Sequence, residues 1–227
     1  MSSMKRIFRL ALAFGAFLFL SNFAPFLQAQ TPAPQTAPAS PAPPPGADYE
    51  NRWDFSGGYA FTRLSPGFGR LNPVNLMGGT GQATAWLRPV YGFTLIGRGF
   101  SGNATLKPNI YNLTNPSVRE YVFLVGPDFR LLRGPKATLG VHWLLGGTYG
   151  IFDTDLKGVK PNLVGLYSNQ LAFAMSLGAS YDYNLSPKLS VRLVTDYQPT
   201  YYGAAAQEAF AGTLGIVYKM GSLHRNQ

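Results

Sequence analysis

From Arg52 to Met220 the chain alternates between large apolar side chains and small or polar ones, in stretches of ten to thirteen residues. The clearest stretch is the last. Phe210, Leu214, Ile216, Tyr218 and Met220 share one phase with Gly212, while Ala211, Thr213, Gly215, Val217 and Lys219 take the other. A period of two residues is the mark of a β-strand whose two faces meet different surroundings. Eight such strands are predicted: 52–64, 76–87, 90–100, 118–130, 137–149, 171–183, 189–198 and 210–220. The second is glycine-rich, and its pattern leaves open which residues share a face. Pro127 is a weak point of the fourth, because proline cannot donate to a ladder.

The connections sort by length. Arg88-Pro89, 131–136 and 184–188 are short, whereas 66–75, 101–117, 150–170 and 200–207 are longer, and the two kinds alternate along the chain. A closed up-and-down barrel requires this alternation of short turns at one end with long loops at the other, and bacterial membrane barrels put the short turns in the periplasm. Strands of about eleven residues are long enough to cross a bilayer at a tilt. The fold expected is all-β: an eight-stranded antiparallel up-and-down transmembrane β-barrel over residues 51–221, followed by a short tail, 222–227. Aromatic positions agree with it, since Trp53, Tyr183 and Tyr218 fall near one set of strand ends and Phe61, Tyr149 and Tyr197 near the other. Such rings suit the membrane–water interface.

Composition sharpens this picture. Charged residues make up 13% of the chain and aromatics 14%, against about 25% charged in soluble domains. After residue 30 no segment has the roughly 20 consecutive apolar residues of a membrane helix, so helices do not account for the low charge. A barrel wall does, since only every second residue meets lipid. Cysteine is absent, which excludes disulfides and cysteine-ligated metals.

The front of the chain reads as export machinery. Lys5, Arg6 and Arg9 precede the apolar run 10–20, and Leu27-Gln28-Ala29 resembles a cleavage site. Residues 1–29 are expected to be a signal peptide. Its removal takes three positive charges and lowers the formal charge from +9 to +6. Residues 30–50 are rich in proline and alanine and are expected to form an extended periplasmic tether.

Three segments carry a family resemblance: WDFSGGYAFTRL at 53–64, the hairpin LAFAMSLGASYDYNLSPKLSVRLVTDYQPT at 171–200, and the closing AGTLGIVYKM at 211–220. In these the chain resembles the small eight-stranded outer-membrane barrels of the OmpA/OmpX-like group. The resemblance implies residence in the bacterial outer membrane with both termini in the periplasm. Thr213, Gly215, Tyr218 and Met220 are similar to the terminal signal read by the barrel-assembly machinery. A barrel-following tail of six residues departs from the many members that end on this strand, and no peptidoglycan-binding domain is expected after it.

On the inward phase the pattern places Asp54, Arg98, Asp128, Arg130, His142, Asp182, Arg192, Asp196 and Lys219. Opposite charges confined in a narrow lumen are expected to fill it as ion pairs and hydrogen bonds. Antiparallel closure of the first strand on the last should bring Asp54 and Lys219 together at the periplasmic mouth, close to water. No catalytic, cofactor or metal site is expected. The alternative is a small-solute passage or a lipid-directed enzyme centred on His142, which would need a serine and an acid within hydrogen-bond reach. The net positive charge points to outer-membrane lipids, including anionic headgroups, rather than nucleic acid. An external ligand of the loops is left open.

Overall fold

The computed structural model describes residues 49–65, 67, 73–202 and 206–223. The predicted leader and most of the predicted tether lie outside these residues. Eight strands run β1 (Trp53–Leu64), β2 (Val74–Trp86), β3 (Tyr91–Asn103), β4 (Ser117–Arg133), β5 (Ala137–Ile151), β6 (Gln170–Asn184), β7 (Leu189–Tyr197) and β8 (Phe210–Met220). Each pairs antiparallel with the next and β8 closes on β1, giving a closed eight-stranded barrel. Strands β3, β4 and β5 run two or more residues further toward the long loops or the turns than alternation alone marks. Pro127 is accommodated within β4: it faces Phe93 in the β3 ladder, and the pairing with β5 resumes at Asp128↔His142. A bulge between Arg130 and Leu132 then breaks the alternation, leaving Leu131 and Leu132 both on the outside.

The register defines the tilt. Paired residues run Thr62↔Ala211, Asp196↔Ala211, Gly178↔Asp196, His142↔Gly178, Asp128↔His142, Gly92↔Asp128 and Trp86↔Gly92. The Trp86 N–H then bonds the Arg52 carbonyl at 2.8 Å. One circuit therefore returns to β1 ten residues away (62 − 52), and a wall of this stagger has strands tilted roughly 40° to the axis. Every residue on this circuit faces inward or borders the lumen, so groups distant in sequence meet there.

The outside of the wall is an apolar belt. Phe55, Tyr59, Phe123, Leu177, Leu214 and Ile216 are each more than 40% exposed, far more contiguous apolar surface than a soluble protein presents to water. Trp53, Tyr183 and Tyr218 border it at the short-turn end; Phe61, Tyr149 and Tyr197 border it at the long-loop end. No helix among the described residues is long and apolar enough to cross a membrane; the spanning elements are strands.

Closure yields a direct test. Phe55 and Tyr218 are opposed across the β1–β8 seam on the lipid side, within the Cα spacing a disulfide spans. Oxidation of the Phe55→Cys, Tyr218→Cys double variant is expected to give an intramolecular cross-link visible as a gel shift. Failure to cross-link under conditions that join a β7–β8 pair would show that the seam does not close in this register.

Candidate functional site: a two-storey lumen

The inward face divides into two storeys. Toward the short turns it is polar, and toward the long loops it is apolar. The ion-pair network expected to fill the whole barrel is thus confined to one part of it. The physical reason lies in the inward residues of the other part: Leu64, Leu76, Ile96, Val122, Leu124 and Leu144 all point into the lumen and are essentially unexposed. Alternation alone marks them as inward, but not as a continuous core.

At the turn end Asp54 is the hub. Its Oδ2 accepts from Arg130 Nη2 at 3.0 Å and Arg192 Nη2 at 3.5 Å, and Asn51 Nδ2 bonds its Oδ1. Arg192 also grips Asp182 with two bonds, 2.6 and 2.7 Å. The Arg130 guanidinium lies 3.6 Å from the centroid of the Trp86 ring, close enough for a strong cation–π contact. This settles the open phase of β2: Trp86 faces inward, against the trend of the other wall aromatics. Lys219 stands directly opposite Asp54 in the β1–β8 register, but its ammonium bonds Asn184 Oδ1 at 2.8 Å instead. Both side chains are buried, at 1% and 2% exposure, so the expected watery mouth is in fact covered. The cover is the segment before β1. Tyr49 bonds Thr138 Oγ1 at 2.8 Å and the Gly134 carbonyl, while Lys219 and Arg130 lie over its ring at 5.6 and 5.5 Å. Neither Tyr49 nor Asn51 was legible as a lumen residue, since both precede the alternating pattern.

Mid-barrel, Asp196 collects the second cluster. It pairs with Arg98, accepts from Ser176 Oγ at 2.9 Å, and lies 2.6 Å from His142 Nε2. Arg98 Nη1 also donates to Gln198 Oε1 at 2.8 Å. His142 and Asp196 bond across an intervening strand, which is possible because Gly178 stands between them on β6. Asp128 accepts from Thr94 at 2.9 Å, which bonds Thr84 in turn at 2.6 Å; it makes no ion pair among the described residues. All nine predicted lumen residues are therefore buried; all but Asp128, His142 and Lys219 take part in ion pairs, and His142 hydrogen-bonds Asp196.

Chemically, the mid-barrel cluster has the ingredients of a triad in the wrong order. A nucleophilic serine must bond the histidine, whose other nitrogen is held by the acid. Here Ser176 donates to the acid, and His142 Nδ1 has no partner among the described residues. The ring is 2% exposed, with no described route for a substrate. No group of three His, Asp or Glu side chains among the described residues is arranged to hold a metal.

The apolar storey is capped by the long loops. Leu106 and Leu113 from 104–116, Phe152, Leu156 and Leu166 from 152–169, and Tyr202 join the wall residues in one cluster. Phe152 and Tyr202 meet edge to face, with ring centroids 5.4 Å apart. One carboxyl sits inside this cluster. Glu120 Oε1 accepts from Thr148 Oγ1 at 3.0 Å and Tyr202 OH at 3.1 Å, and Glu120 is fully buried. Burial, and next the neighbouring Glu120 carboxylate, push the Tyr202 phenol well above the usual tyrosine value, so it remains a proton donor. Glu120 shares its face with Asp128 on β4, a phase signal that could have placed it in the lumen. Tyr202, on a loop, gave none. Tyr202→Phe is expected to cost about 1–2 kcal/mol, by withdrawing one of the two donors to a buried carboxyl. Urea unfolding in detergent measures it, and an unchanged midpoint would show that the cap does not depend on this bond.

Fold, belt and packed lumen together define a small transmembrane β-barrel of the outer-membrane type. Solved structures similar to it include OprG of Pseudomonas aeruginosa, at 14% identity and a TM-score of 0.52, covering 79% of this chain and 99% of that one. The attachment invasion locus protein Ail of Yersinia pestis is similar at 16% identity and a TM-score of 0.50, covering 75% and 99%. At such identities the likeness is one of fold. No protein-family model matches the chain, and no curated protein does.

Proposed function

We propose that this protein is a non-enzymatic barrel of the bacterial outer membrane with a structural or surface-interaction role, its lumen closed and its long loops external. The observation that carries this reading is the sealed interior. An apolar plug closes the loop end, a paired polar network fills the rest, and Tyr49 covers the turn end. A pore needs a continuous wet path, and a barrel enzyme needs a reachable nucleophile; neither is compatible with this packing.

The remaining assignments follow from the same frame. Residues 1–29 serve as the cleaved signal peptide and 30–50 as the periplasmic tether; 51–221 are the barrel and 222–227 its tail. Both termini are periplasmic, a reading supported by the segments that flank β1 and β8 meeting at the short-turn end, where the Leu223 N–H bonds the Glu50 carbonyl at 2.6 Å. The terminal strand, with Thr213, Gly215, Tyr218 and Met220, serves as the signal for the barrel-assembly machinery. Anionic lipid headgroups are the partners of the exposed basic groups beyond the belt, Arg63 and Arg119 at the loop end and Arg52, Arg88 and Lys188 at the other.

Two measurements test this function. Planar bilayers containing the folded barrel are expected to show no conductance above background, and lipid A from a deletion strain is expected to keep its mass profile. Stepwise currents, or a shifted lipid A mass restored by the wild-type gene but not by His142→Ala, would replace the proposal with the passage or enzyme reading.

A further inference from the structure

The mouth at the short-turn end is covered by the segments that flank the barrel, not by the wall itself. Tyr49 precedes β1, yet its partners lie on the far side of the lumen. Its hydroxyl donates to the Gly134 carbonyl in the β4–β5 turn, lies 2.8 Å from Thr138 Oγ1 on β5, and accepts from Asn184 Nδ2 at the end of β6, at 3.3 Å. In the closed ring β5 stands opposite β1, so the segment before β1 crosses the mouth to reach it. Two buried cations, Arg130 and Lys219, lie against the Tyr49 ring.

The segment after β8 holds this crossing in place. Gly221 has a φ of 74°, a left-handed turn open to glycine at little cost. It takes the chain off β8 and across the start of β1, where a Cβ on it would stand 3.3 Å from the Arg52 Cβ. Two residues on, the Leu223 N–H bonds the carbonyl of Glu50, the neighbour of Tyr49, at 2.6 Å. The forces here are of one kind. Tyr49 is half-buried and Glu50 exposed, and none of residues 49–51 or 221–223 belongs to the apolar cluster. Hydrogen bonds and ring–cation contacts do the holding. A segment with so little buried apolar surface opens locally at far lower cost than the barrel unfolds. Water takes over its polar partners when it does.

We propose that residues 49–51 are a strap, latched by residues 221–223, that opens and closes the polar storey at the short-turn end while the barrel stays folded. Opening admits water to Asp54, Arg130 and Lys219. It makes no pore, because the apolar plug still seals the other end. The latch follows the strand that closes the ring on β1, so the strap locks only after the wall is complete. The proline-rich residues run directly into the strap, so a pull on them acts on the mouth before it acts on any strand.

The test uses the full detergent-folded chain, which has no cysteine of its own, with Ser190→Cys as the single reporter thiol. Ser190 is fully buried, and its hydroxyl bonds Asn184 Oδ1 at 2.7 Å, next to a partner of Tyr49. A charged methanethiosulfonate is expected to label this thiol slowly in the parent and about tenfold faster once Tyr49→Ala is added. Leu223→Pro removes the latching N–H and is also expected to speed labelling, with the heat-modifiable gel band retained in each variant. A Val122→Cys reporter in the apolar storey is expected to stay unlabelled throughout, which separates opening of the mouth from general loosening. Should Tyr49→Ala fail to fold, Tyr49→Phe takes its place, keeping the ring and losing the hydroxyl bonds. Should Ser190→Cys fail to fold, acrylamide quenching of Trp86 in a Trp53→Phe, Trp143→Phe background reads the same opening. Fast labelling of the parent overturns the proposal. So does a rate left unchanged by the Tyr49 variant or by Leu223→Pro, or an equal gain at Val122→Cys.

Discussion

Gly178→Ala is expected to lower the stability of the folded barrel by about 3 kcal/mol, from overpacking added to a displaced buried charge pair. The added Cβ would lie 2.1 Å from Asp196 Oδ1 and 2.5 Å from His142 Nε2. Neither partner can retreat cheaply. Asp196 also holds Arg98 and Ser176, and His142 is packed at 2% exposure. The glycine is therefore present because the bond between β5 and β7 must pass over β6. Gly81→Ala is the matched control: on the lipid side of β2, its Cβ would meet nothing within 4 Å, and its effect is expected to stay within about 0.5 kcal/mol. Urea unfolding midpoints of the two variants in one detergent make the comparison. Equal losses at both positions would refute the steric account.

Asp54→Ala is expected to cost about 3–5 kcal/mol, the range for removing one partner of a buried ion pair. Among the described residues it takes the carboxylate that pairs with Arg130, leaving that guanidinium with Asn51, the Tyr49 carbonyl and the Trp86 ring. Arg192 loses less, since Asp182 still holds it. The mechanism is an uncompensated buried charge, which makes a further claim. Adding Arg130→Met to Asp54→Ala should restore part of the lost stability, because replacing both partners by apolar groups is far better tolerated than removing one. A double variant no more stable than Asp54→Ala would show that the loss comes from somewhere other than the stranded guanidinium.

Much of the fold was legible in the sequence, and for a clear reason. A wall one residue thick between lipid and lumen imposes a period of two, so each strand announces its phase locally. The exchange of short and long connections then gives the topology. Legibility failed where the phase carried no contrast. In β2 the run Gly78-Gly79-Thr80-Gly81 has no large side chain to choose a face, and only pairing with β1 and β3 turned Trp86 inward onto Arg130. The wall extensions and the bulge after Arg130 were hidden for a similar reason: Leu131, Leu132 and Arg133 read as a loop, while their ladder to β5 continues.

By itself, then, the sequence determined the strands, their order and most of the inward charges, Glu120 excepted, because these depend on local alternation and on turn length. Which inward groups touch was decided only in three dimensions. The ten-residue stagger of the wall brings residue 142 to residue 196 across a glycine, and Asp54 to Arg130 and Arg192 rather than to the ammonium of Lys219 directly opposite. The apolar plug likewise needed the loops, whose Phe152, Leu156 and Tyr202 follow no period and enter the lumen only because the closed wall leaves them an apolar socket to fill.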